Sequence, residues 1–210
     1  VQAITDKGKI KAAHNPIDGF YILVVPGPVD ETWVFDTKQS LADMSARVTR
    51  WDSIVINSTY YSPTDELLYF GGEGTIGKYD GYQDITSSYT MDFESTFVDF
   101  DTTNFKVLKR MRAVVTGGAG AQVSFKWKVD FEETSDSAAV NVPASTASLW
   151  GTGLWGTSKW GDSDTTIRNL SVNASRVGQH ISFGLSTPIN GEPFSIQKID
   201  LIAKQGRTNR

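Results

Sequence analysis

Alternation of apolar and polar side chains is strictest over residues 122–131. There Val123, Phe125, Trp127, Val129 and Phe131 alternate with Gln122, Ser124, Lys126, Lys128 and Asp130. A period of two with one apolar face predicts a strand of an antiparallel sheet covered on one side. Residues 105–115 alternate almost as well and place Phe105, Val107, Met111, Ala113 and Val115 inward. The glycine-rich segment 116–121 is expected to join these two strands as a hairpin. Tyr89, Met91, Phe93 and Phe97 predict a strand ahead of the pair, and residues 180–185 predict another behind it. Residues 194–203 begin in one phase (Phe194, Ile196) and resume in the other (Ile199, Leu201), which predicts a β-bulge near Gln197 and Lys198. The best helical candidate, residues 39–47, is two turns at most.

The first eighty-odd residues have a different rhythm. An apolar run at 19–25 is followed by a turn and a second run at 31–36, and the same arrangement recurs at 66–71 and 74–81. Residues 50–55 lie between the two hairpins. Their offset of roughly 42–47 residues is the blade period of a β-propeller. Closure needs at least four blades, so either further blades lie upstream of Val1 or these are two hairpins of a sandwich. The expected fold is all-β with little helix: propeller-like blades, incomplete, over 1–103, then an antiparallel sandwich-like domain over 104–210. The boundary is placed at residues 101–104.

Between Trp150 and Trp160 the chain carries a Trp-Gly pair every five residues, at Trp150, Trp155 and Trp160. Neither a helix nor a strand brings every fifth residue to one face, so the segment reads as successive tight bends. Buried, each indole contributes on the order of 4–6 kcal/mol of gross hydrophobic free energy. Such a segment is either a platform on which sugar rings stack or a plug packed within or between subunits. The winding, glycine-punctuated repeat favours the plug.

Composition narrows the function. The chain has 210 residues, no cysteine and a net charge of -4. Disulfides, thiolate metal sites and thiol nucleophiles are excluded, and nothing marks a dedicated nucleic-acid binder. No apolar run is long enough to cross a bilayer as a helix. The chain opens at Val1 without a signal-peptide pattern, and reads as though an upstream part were missing or processed.

Candidates for chemistry are few. His14 and His180 have no nearby nucleophile or carboxylate pattern that would make either a general base. Asp92 and Glu94, about 6.5–7 Å apart along one strand, have the spacing of a glycosidase pair, yet sit where a solvated sheet face would supply them. Asp162, Asp164 and Thr165 offer oxygens to Ca²⁺ without the rest of a ligand loop. We therefore expect no catalytic residue, metal or cofactor. Lys106, Lys109, Arg110, Arg112, Lys126 and Lys128 form a basic run flanked by acids on both sides. It is a candidate contact face for phosphate or an acidic subunit, or else it pairs with the chain's own acids. Asn57, Asn169 and Asn173 head glycosylation patterns that we read as accidental.

The succession of a blade-like hairpin ending Glu66-Leu67-Leu68-Tyr69-Phe70-Gly71, the segment Phe105-Lys106-Val107-Leu108-Lys109-Arg110-Met111-Arg112, a glycine-rich turn, an alternating strand, the Trp-Gly repeat and a closing strand ending near Lys204-Gln205-Gly206-Arg207 resembles the C-terminal half of the tail nozzle proteins of short-tailed bacteriophages, also called tail tubular or tail hub proteins. The resemblance lies in element order rather than in a catalytic motif, and covers most of the chain. It implies a non-enzymatic virion protein, assembled in the bacterial cytoplasm, with a propeller part and a sandwich-like part. Copies would form a ring, usually six-fold, around the exit channel for double-stranded DNA. They would meet portal or adaptor proteins on one side and fibres or tailspikes on the other, without a small-molecule substrate. The alternative is a carbohydrate- or receptor-binding module using Trp150, Trp155 and Trp160.

Overall fold

The alternating segments do become strands, and their order divides the chain at a different place from the one expected. The computed structural model describes residues 7–26, 30–40, 44–52, 54, 56–72, 74–84, 86–143 and 167–206. It splits into two units, Val1–Ile85 and Thr86–Arg210. Nearly all its regular structure is antiparallel strand, and a single 3-10 turn at Lys7–Lys9 is the helical content among the described residues.

The first unit holds β1 (Lys11–Asn15), β2 (Phe20–Val25), β3 (Glu31–Ser40) and β4 (Ala46–Trp51) as one four-stranded sheet in chain order. A second sheet follows, β5 (Ser58–Ser62), β6 (Leu67–Gly72) and β7 (Thr75–Lys78), also in chain order. Among the described residues of 39–47 no helix forms: Gln39 and Ser40 end β3, and Ala46 and Arg47 begin β4. Cross-strand pairing of Ser40 with Ala46 overrides the weak helical periodicity. Phe20, Ile22, Val24 and Val34 from the first sheet meet Leu68 and Phe70 from the second in one buried cluster with Ile56. Trp51 lies at its rim, edge-on to Phe20 and Phe70 and stacked on Tyr79 at 5.7 Å.

The two sheets are register-equivalent. Adding 47 to each of the five β1–β2 pairs gives the five β5–β6 pairs, from Asn15↔Phe20 and Ser62↔Leu67 to Lys11↔Val24 and Ser58↔Gly71. The four β6–β7 pairs match β2–β3 pairs with an offset of 47 from β2 to β6 and of 44 from β3 to β7, so that Ile22↔Val34 corresponds to Tyr69↔Lys78. The turns agree as well. In Asn15-Pro16-Ile17-Asp18 the Asn15 side chain accepts from the Ile17 and Asp18 N–H groups and donates to the Asp18 carboxylate at 2.9 Å. In Ser62-Pro63-Thr64-Asp65 the Ser62 hydroxyl accepts from the Asp65 N–H and donates to its carboxylate at 3.1 Å. Each turn then closes through one left-handed residue, Gly19 at φ 65° and Glu66 at φ 58°.

In the second unit one sheet has the order β11 (Asp136–Asn141), β10 (Gln122–Val129), β13 (Ile181–Ile189), β8 (Tyr89–Glu94). The other has β12 (Ile167–Gly178), β9 (Lys106–Gly117), β14 (Phe194–Gln205). Inward side chains of both form one core, with Phe125, Leu108, Met111, Val115, Ile181 and Leu185 fully buried. Because β8 pairs with β13, residues 86–103 belong to this unit, and the division falls at 85/86 rather than near 101–104.

Three local expectations change. β9 and β10 do not form a hairpin: they lie in different sheets, so the glycine-rich segment carries the chain from one layer to the other. The inward phase of β9 also shifts, because its register with both neighbours slips between Leu108 and Arg110. That bulge at Lys109 makes Leu108, not Val107, the buried residue, and leaves Phe105 exposed. Finally, β10 ends at Val129, since Asp130 and Phe131 both adopt positive φ and turn Phe131 out to Phe97 and His180. The bulge expected near Gln197 is present, between Ile196 and Lys198.

Candidate interaction surfaces

The six basic residues do not share a face. Lys126 and Lys128 project from the polar side of β10 and reach across β13 to β8. Lys126 donates to both oxygens of Asp92 at 2.9 Å, and Lys128 to Glu94 at 2.6 Å. The carboxylates weighed as a glycosidase pair are therefore the counter-ions of these lysines. Lys109, Arg110 and Arg112 lie exposed on β9 in the other sheet. Lys106 is buried: its ammonium donates to the carbonyls of Thr102 at 2.8 Å, Asn104 at 3.1 Å and Gln179 at 2.7 Å. It ties the segment before β9 to the turn before β13.

That turn is built around Asp130, whose carboxylate accepts the N–H groups of Gln179 at 2.7 Å and His180 at 2.9 Å. The His180 ring lies 3.7 Å from the same carboxylate and against Phe131, so it completes a turn rather than a triad. His14 is exposed on β1 opposite Tyr21.

Between the two sheets of the second unit, Arg176 of β12 clasps Asp136 of β11 and lies 3.7 Å from Glu132. The guanidinium holds the Asp136 carboxyl below the usual carboxylate range, by hydrogen bonding first and charge second. A depressed folded-state pKa contributes stability at pH above the unfolded value, lost as pH falls through the folded one. Asp136→Asn is thus expected to be less stable than the parent at neutral pH, by a small margin for so exposed a pair. Melting temperatures against pH should show this gap constant above about pH 4 and closing below it. A gap that persists at low pH would contradict the ion-pair account.

Two apolar surfaces lie in the first unit. On the side of the first sheet away from the core, Tyr21 and Val48 are exposed and Leu23, Trp33 and Phe35 half-buried, with Tyr21 and Phe35 rings 6.4 Å apart. On the side of the second sheet away from the core, Tyr60 is 63% and Ile76 84% exposed. These two and Tyr69 line an open groove of about 460 Å³ with Ser58, Ser62 and Asp65. Sequence reading passed over both faces, although the signal was present: in residues 20–25 and 67–70 apolar side chains occupy both strand faces, as they do when both are covered.

Trp150, Trp155 and Trp160, and with them Asp162, Asp164 and Thr165, lie outside the described residues. Among the described residues no group of three His, Asp or Glu is arranged to hold a metal ion. No family model and no curated protein sequence matches the chain.

Proposed function

We propose that the chain is a structural subunit of the tail nozzle of a short-tailed bacteriophage. Copies form a ring around the DNA exit channel and meet the portal or adaptor and the fibres or tailspikes. The observation that carries this reading is the order of parts: two register-equivalent, blade-like sheets, then a unit of two facing sheets that is sandwich-like. This is the order for which the sequence resembles nozzle proteins. The charge arrangement supports it. Lys126 and Lys128 are neutralised by Asp92 and Glu94, and the chain is acidic overall. Such a wall repels phosphate weakly instead of gripping it, as a conduit for double-stranded DNA requires.

Electron microscopy and native mass measurement of the assembled protein test the reading, with a closed ring as the expected result. In the same assay Trp155→Ala is expected to abolish the ring or the folded protein, since the Trp-Gly segment is read as a packing device. Normal ring assembly with loss only of host adsorption would overturn that role. A glycan-dependent change in tryptophan fluorescence would then favour the carbohydrate-binding alternative at Trp150, Trp155 and Trp160.

A further inference from the structure

The register equivalence fixes which face of each sheet is which. The covered face of the first sheet carries Ala13, Asn15, Phe20, Ile22, Val24 and Thr32. Their equivalents in the second are Tyr60, Ser62, Leu67, Tyr69, Gly71 and Ile76, the face that bears the groove. Conversely, the second sheet covers its neighbour with Tyr61, Leu68, Phe70 and Tyr79, whose equivalents are His14, Tyr21, Leu23 and Phe35 on the first sheet's open side. The two sheets are thus stacked head to tail, front of one on back of the next. What remains uncovered is one unused back and one unused front of a single interface.

We propose that these two open faces bind each other between copies of the chain. The Tyr21, Leu23 and Phe35 face of one copy packs on the Tyr60, Tyr69 and Ile76 face of the next, repeating the contact seen within the unit. The second copy is the occupant because the chain itself carries the complementary surface: the packing of Leu68 and Phe70 on Ile22 and Val24 is the same contact one repeat along. Stacked repeats extend by nearest-neighbour contacts of this kind. Being heterologous, the contact propagates from copy to copy and closes to a ring if its rotation allows. This contact follows from the pairing register and the observed packing of the two sheets, and it would give the proposed ring a contact surface.

The test uses the full chain with Tyr21→Glu on one face and Ile76→Glu on the other, each first checked for an unchanged melting transition. Sedimentation of the parent is expected to show concentration-dependent self-association, and each variant alone at least ~30-fold weaker association, the hot-spot threshold. Mixed in equal amounts, the two variants should form a dimer and nothing larger, since each retains one intact and complementary face. Association equal in parent and both variants would overturn the proposal while leaving a ring held by other surfaces intact. A monomeric parent whose Tyr21 and Ile76 are shielded from chemical labelling would place another segment of the chain on these faces and overturn it too. So would a monomer with both residues open to the label.

Discussion

Gly117→Ala is expected to lower folding stability by about 2–5 kcal/mol, the sum of roughly 1–2 for a left-handed non-glycine residue and 1–3 for forced overpacking. Gly117 has φ 81° at the end of β9, where the chain leaves one sheet for the other. A Cβ there would lie 2.0 Å from the Pro193 carbonyl oxygen and 2.9 Å from its carbon. Both are backbone atoms, and the same oxygen accepts the Gly118 N–H at 2.9 Å, so moving it breaks a second constraint. Gly120→Ala is the internal control: φ is 79° but open space surrounds the new Cβ, so the conformational part alone, ~1–2 kcal/mol, is expected. Urea denaturation of both variants measures the difference. Equal losses would mean that the turn at Pro193, before β14, gives way freely.

The same crossing shows why the sequence led to a correct set of strands and a wrong connection. Three glycines between two alternating runs fit a hairpin and a passage between layers equally well, because both need positive φ over a few residues. What separates them is the partner of Gly118 and Gly120, Pro193 and Val142, which are distant in sequence. Bulges divide in the same way. The one at Gln197 was legible because apolar residues flank it in opposite phases. The one at Lys109 was hidden, since Val107 and Leu108 are both apolar and either could point inward. The boundary moved for a related reason: only the pairing of β8 with β13, about ninety residues downstream, assigns 86–103 to the second unit.

Of the surfaces, the pairing of Lys126 and Lys128 with Asp92 and Glu94 was open to reading as soon as all four were placed on polar strand faces. The repeated turn was also within reach. Asn15-Pro16-Ile17-Asp18 and Ser62-Pro63-Thr64-Asp65 stand 47 residues apart and use interchangeable chemistry, an oxygen two to three residues ahead of the N–H groups it accepts. The apolar runs of the two hairpins do not by themselves reveal it. Front and back of each sheet, by contrast, follow only from the observed stacking, because a strand apolar on both sides does not say which side meets which neighbour.

Lys106→Met is expected to cost about 2–4 kcal/mol, whereas Lys109→Met should stay within about 0.5 kcal/mol of the parent. Both remove one positive charge and keep the apolar stem, so surface charge changes equally and the difference isolates what the ammonium does inside. At Lys106 it satisfies three carbonyls from two segments, those of Thr102 and Asn104 before β9 and that of Gln179 before β13. Hydrogen bonds to a charged group contribute roughly 1.5–3 kcal/mol each, and a buried carbonyl left without a donor loses about 1–3. Relief from desolvating the ammonium offsets part of the sum. Lys109, at the exposed bulge, leaves nothing buried behind. Chemical denaturation of the two variants reads the contrast directly. Were Lys106→Met as stable as Lys109→Met, the three carbonyls would have to find water in its absence, and Lys106 would return to the exposed basic residues with which the sequence grouped it.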